Sequence, residues 1–96
     1  MEIETLSRER REEVLWRAEK HGARDVRVFG SMARGEASEE SDIDFLVKTS
    51  LDTSPWFPAG LIEDLQGLLG RKVEVVTENA LHGYIRDKVL REAVPL

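Results

Sequence analysis

Apolar positions recur with a helical period in some stretches of the chain and alternate as in a strand in others, and each change marks an element. Val14, Leu15 and Ala18 recur at helical spacing, which predicts a first helix capped by Ser7 and stopped near Gly22. The charged run from Arg8 to Glu13 forms its solvated face. Asp25 to Phe29 alternates in part, with Val26 and Val28 on one side, and predicts a short strand ended by Gly30. Ser31 stands where a short helix can open, and Glu36 to Ser41 is polar and reads as a loop.

The second half is patterned more clearly. Asp42 to Val47 predicts a strand with Ile43, Phe45 and Val47 on one face and Asp42, Asp44 and Leu46 on the other. A loop from Thr49 to Pro58 follows. Leu61, Ile62, Leu65, Leu68 and Leu69 then recur at three and four residues, which predicts a helix over Ala59 to Leu69 stopped by Gly70. Lys72 to Thr77 predicts a third strand, with Val73 and Val75 opposite Glu74 and Val76. Thr77 or Asn79 caps a last helix whose stripe is Leu81, Ile85 and Val89, and Pro95 lies beyond its end. Trp16 and Tyr84 read as packing residues. The order predicts an α/β fold: a small mixed β-sheet of three or more strands, flanked by helices, in a single domain over residues 1–96.

Composition narrows the function. A hydrophobic fraction of 41% supports a core and a charged fraction of 34% a strongly polar surface, which together exclude a disordered chain. No apolar run approaches the roughly 18 residues that span a bilayer, and the first residues are too charged for a signal peptide. We therefore expect a cytoplasmic protein without a membrane partner. There is no cysteine, so no disulfide or thiolate metal site is available. The net charge of -5 disfavours nucleic acid as a partner, because phosphate backbones are bound by lysine and arginine. A bound metal reverses local sign, so a nucleotide is still allowed. His21 and His82 have no ligands at zinc-binding spacing.

The local oddity is acidic. Aspartate is disfavoured in strands, yet Asp42 and Asp44 sit among Ile43, Phe45, Leu46 and Val47. An acidic exposed face is the plain reading. The sharper one is a metal site, because residues two apart on a strand share a face at about 6 to 7 Å. Carboxylates without histidine or cysteine suit Mg²⁺, with Mn²⁺ as the alternative. Glu74, flanked by Val73 and Val75, supplies a third carboxylate if its strand is adjacent. Gly30 and Ser31 stand at a strand end, where backbone N–H groups can hold phosphate; an ordinary turn is the competing reading.

The segment GSMARGEASEESDIDFLV resembles the signature of the DNA polymerase β-like nucleotidyltransferase superfamily: Gly-Ser, ten residues, then Asp-x-Asp. Here Gly30-Ser31 is followed by residues 32 to 41 and then Asp42-Ile43-Asp44. The wording Ala33-Arg34-Gly35 and Ser41-Asp42-Ile43-Asp44 is similar to that of the minimal nucleotidyltransferases within it. The resemblance implies a nucleotidyltransferase fold and transfer of a nucleoside monophosphate, AMP from ATP, to a hydroxyl. It implies two Mg²⁺ held by Asp42, Asp44 and Glu74, with Gly30, Ser31 and Arg34 at the phosphates. Arg34 reads equally well as a surface arginine. The family's third acid is usually aspartate, so Glu74 departs from the pattern by one methylene.

Members of this small family pair with helical HEPN-type proteins in toxin–antitoxin modules. The resemblance therefore implies a HEPN-type partner, with one of its tyrosines as acceptor. The alternative is an antitoxin that neutralises its partner by binding alone. A homo-oligomer is also compatible. Trp56 and Phe57 are either an anchor for the partner or a staple folded back on the following helix.

Overall fold

Apolar alternation makes one strand the centre of the sheet. In the computed structural model, which describes residues 8–38, 40–50, 53 and 57–96, this is β2 (Ile43–Thr49). Ile43, Phe45 and Val47 are all buried on one face. β1 (Ala23–Phe29) runs antiparallel beside β2, and β3 (Val73–Thr77) runs parallel on its other side. A parallel neighbour needs a crossover, and α2 (Ala59–Leu69) supplies it. A fourth strand, β4 (Val94–Pro95), pairs with β1 through Arg27 and Val28, giving the order β3-β2-β1-β4. The sequence pattern required at least three strands. A two-residue strand containing proline carries no alternation from which a fourth could be read.

The main core lies between the sheet and two helices, α1 (Arg8–Lys20) and α2. Val14 and Ala18 meet Leu61 and Leu65 there, together with the inward residues of three strands. Gly70 ends α2 as expected: its φ of 65° is left-handed, and its N–H donates to the Gln66 carbonyl. The Gln66 side chain accepts from the Val73 N–H at 3.1 Å, which fixes the entry into β3. Asp64 of α2 pins α1, pairing with Arg17 and, at 3.2 Å, with His21. Burial acts to raise the Asp64 pKa, but the bonds from Arg17 and His21 outweigh it and leave it lowered.

β1 carries a bulge. Arg24 faces Lys48 and Arg27 faces Leu46, so Asp25 and Val26 together oppose a single residue of β2. Asp25 adopts a φ of 51°, which an aspartate tolerates better than most side chains. The extra residue brings Ala23 and Val26, three apart, to the same buried face. The strand therefore begins at Ala23, two residues before the alternation becomes visible.

Four sequence expectations are corrected. Ser31 to Gly35 forms turns and not a short helix. The last helix, α3 (Gly83–Glu92), is not capped by Thr77 or Asn79, which belong to the end of β3 and a separate 3₁₀ turn over Glu78–Ala80. Ile85 does not face a core: it is 63% exposed, and only Val89 of that stripe is buried. Trp16 and Tyr84, read as packing residues, are 54% and 77% exposed, with the Lys20 ammonium over the Trp16 ring. Helical spacing reports a shared side of a helix and not whether that side is covered. The expected Ser7 cap and the Trp56 anchor lie outside the described residues. Phe57 is partly buried against the core.

Candidate active site

The site residues converge where β1 ends and β2 begins. Gly30 follows β1 with a φ of 74°. A Cβ at this position would meet Asp44 Oδ2 at 2.4 Å. Glycine is thus required twice, for the left-handed backbone and for the close approach of the carboxylate. The turns that follow are closed by Arg34 N–H to Gly30, Gly35 N–H to Met32 and Glu36 N–H to Ser31 carbonyls. Met32 is buried in the core and anchors them. The N–H groups of Ser31, Met32 and Ala33 make no hydrogen bond among the described residues. Three N–H groups left unpaired in one turn can donate to an anion without any helix.

Asp42 precedes β2 and Asp44 lies within it. The loop before them is folded on itself: the Ser38 N–H donates to Ser41 Oγ at 2.9 Å, and the Ser41 N–H to the Ser38 carbonyl at 3.1 Å. Arg71, just beyond α2, donates to the carbonyls of both serines at 2.5 Å. The parallel register then sets Asp44 directly beside Glu74 of β3, with neighbouring strands about 4.8 Å apart. The sequence left the adjacency of these strands open; the crossover through α2 supplies it.

Electrostatics identify the centre. The Asp44 carboxyl is pushed above the usual carboxylate range, first by burial and then by the charges of Asp42 and Glu74. Arg34 opposes this rise and Glu92 adds to it. Glu92, at the end of α3, is the residue the sequence reading missed. Its carboxylate is 15% exposed and accepts from Arg34 at 2.6 Å, while Arg34 Nε donates to Glu36 at 3.0 Å. Nothing in the sequence sets Glu92 apart from the other charged residues of that helix. Only the packing of α3 brings it to Arg34. Asp42 has Lys72 at 3.9 Å, an exposed pair of little energetic weight.

This set fits a hard divalent cation in charge and donor type. The donors are carboxylate oxygens, and like charge already destabilises the ionised Asp44. Among the described residues, no three acidic or histidine side chains converge tightly enough to form a closed metal cage. The site is therefore an aspartate pair beside a glycine turn, with Glu74 and Arg34 around it. No helix of the described residues is long and apolar enough to cross a membrane.

Comparison with known proteins agrees with this arrangement. The nucleotidyltransferase domain family matches residues 7–96. Protein adenylyltransferase MntA of Thermococcus cleftensis is 40% identical over 93 residues, covering 97% of this chain and 91% of that protein. A solved minimal nucleotidyltransferase superposes with a TM-score of 0.84 at 51% identity, over 100% of this chain and 97% of the other. A toxin–antitoxin crystal structure with AMP-PNP shares the fold, with a TM-score of 0.76 at 17% identity over 88% of this chain and 70% of the other. The glycine turn, the paired aspartates of β2 and a match running through α3 lead to one conclusion: the chain belongs to the nucleotidyltransferase domain family and is a nucleotidyltransferase.

Proposed function

We propose that the chain is a Mg²⁺-dependent protein adenylyltransferase that moves AMP from ATP to a tyrosine hydroxyl of a HEPN-type helical partner in the cytoplasm. A single nucleotidyltransferase unit over residues 1–96 carries the activity. One observation carries the reading: Asp44 packs against Gly30 of the anion-binding turn while standing in register with Glu74. That juxtaposition puts phosphate donors and metal-type ligands at the same strand ends. The adenylyltransferase named among the relatives supports AMP as the group moved and a protein as its acceptor.

Asp42 and Asp44, with Glu74 beside them, would hold the metal, which when bound would supply positive charge to the attacking and leaving oxygens. The free N–H groups after Gly30, with the Ser31 hydroxyl, bind the outgoing phosphates. Arg34, kept near Asp44 by Glu92, neutralises their charge. The acceptor hydroxyl attacks the α-phosphorus, the bond to the bridging oxygen breaks, and pyrophosphate leaves. Glu74 accepts the hydroxyl proton.

The test is mass spectrometry of the partner after incubation with this protein, ATP and Mg²⁺, beside an Asp42→Ala control and a chelator control. A gain matching AMP in the wild-type sample alone supports the reading. The second reading, an antitoxin acting by binding alone, is favoured by the exposed Glu74 and the open metal cluster. It predicts a stable complex with no mass gain, and neutralisation that survives Asp42→Ala.

A further inference from the structure

We propose that the C-terminal ends of β2 and β3 form a second site, for a small free phosphoryl anion: inorganic phosphate or pyrophosphate. A cavity of about 170 Å³ opens there, lined by Arg24, Lys48, Thr49, Thr77, Glu78 and Asn79. It is distinct from the carboxylate site, because Thr49 lies five residues beyond Asp44 on the same strand, a rise of about 16 Å. Val47 pairs with Thr77, so β2 and β3 end side by side. The space beyond the carboxyl ends of parallel strands is where open α/β sheets commonly bind ligands.

The charges around the cavity call for an anion. Arg24 and Lys48 are direct cross-strand partners, and like charges placed opposite one another destabilise a sheet. Arg24 has no ion-pair partner among the described residues. Among the described residues Lys48 pairs only with Asp25, at 3.7 Å, with both side chains about half exposed. The one acid of the cavity wall is already neutralised: Glu78 accepts from Arg27 at 2.5 Å and lies 3.5 Å from Arg86. Thr77 stands at the cap position of the following turn, but its hydroxyl makes no capping bond. A guanidinium, an ammonium, two hydroxyls and an amide therefore line the space, and its carboxylate, Glu78, is already paired with Arg27 and Arg86. Multi-oxygen anions satisfy such donors best. At about 170 Å³, the cavity has room for one or two phosphoryl groups.

The inference stands apart from the adenylyltransfer reading, and its test needs neither ATP nor a partner. Isothermal titration at low ionic strength compares inorganic phosphate and pyrophosphate with chloride on the wild type, Arg8→Ala (an exposed cation outside both sites), Arg24→Ala/Lys48→Ala and Thr77→Val. We expect saturable binding of at least one phosphoryl anion to the wild type and unchanged binding to Arg8→Ala. Removing each cation should weaken binding about tenfold, and the shape-conserving Thr77→Val should weaken it several-fold. The anion should also raise the Tm of the wild type and not that of the double variant. No saturable binding to the wild type, equal binding to the double variant, or the same loss on Arg8→Ala overturns the proposal.

Discussion

The two ends of β2 are chemical opposites on one scaffold. At its start, Asp42, Asp44, Glu74 and Glu92 gather around a glycine turn, with Arg34 as the cation among them. At its finish, Arg24 and Lys48 face one another above two threonines. Between them Ile43, Phe45 and Val47 are buried among helix residues and carry no chemistry. The difference shows how a small domain separates its tasks. Inward alternation secures the fold, and the strand ends, free of that duty, hold concentrated charge. Each end carries like charges, so removing one of them should alter function and stability in opposite directions.

The largest break is at Asp44. Replacement by asparagine should lower adenylyl or other nucleotidyl transfer by about 10³-fold or more, because a metal-type ligand is lost. It should also raise Tm by a few degrees. The folded carboxyl holds its proton more tightly than the unfolded one. The unfolded state therefore binds fewer protons between the two values, and stability falls as pH rises through that window. Asp44→Asn should flatten this fall. Thermal melts from the ordinary aspartate range to neutral pH check it, and an unchanged slope would remove the electrostatic account.

Gly30→Ala should come next. The alanine meets both a left-handed backbone and the Asp44 carboxylate. We expect a destabilisation of about 1–3 kcal/mol and a loss of about 10²-fold in turnover from the displaced aspartate. Denaturant melts and initial rates report the two effects. A loss of stability without a loss of rate would separate the turn from the chemistry. Glu92→Gln should be smaller again, about tenfold in rate and expressed mainly in the KM for ATP. It removes the charge that holds Arg34 and leaves the carboxylate pair in place.

Legibility in the sequence follows the same division. The central strand, α2 and its Gly70 stop were readable because burial imposes a period on Phe45, Leu61 and Leu65. The Gly30–Asp44 site was readable through the spacing of its motif, and the register with Glu74 followed once the crossover existed. Glu92 was not readable, because a long-range ion pair leaves no local pattern. Nor was the β1 bulge, where one extra residue shifts the alternation at Asp25. Ile85 misled for a related reason: it shares helical spacing with Leu81 and Val89, but of these only Val89 is buried.

The smallest effect tests the basic end. Arg24→Glu exchanges a like-charged cross-strand pair for an opposite one beside Lys48. Without phosphate, this should stabilise the fold by about 0.2–1 kcal/mol, and transfer activity should be unchanged because Asp44 lies at the far end of the strand. Asp25 works against part of the gain: it already sits 3.7 Å from Lys48 and would repel the new glutamate. Adding phosphate reverses the ranking, since only the wild type has the site to bind it. A crossing of the two stabilities as phosphate rises would show that the Arg24–Lys48 repulsion is kept for a ligand. If the variant is the less stable without phosphate, the two cations are not in conflict, and the contrast between the strand ends loses its basic half.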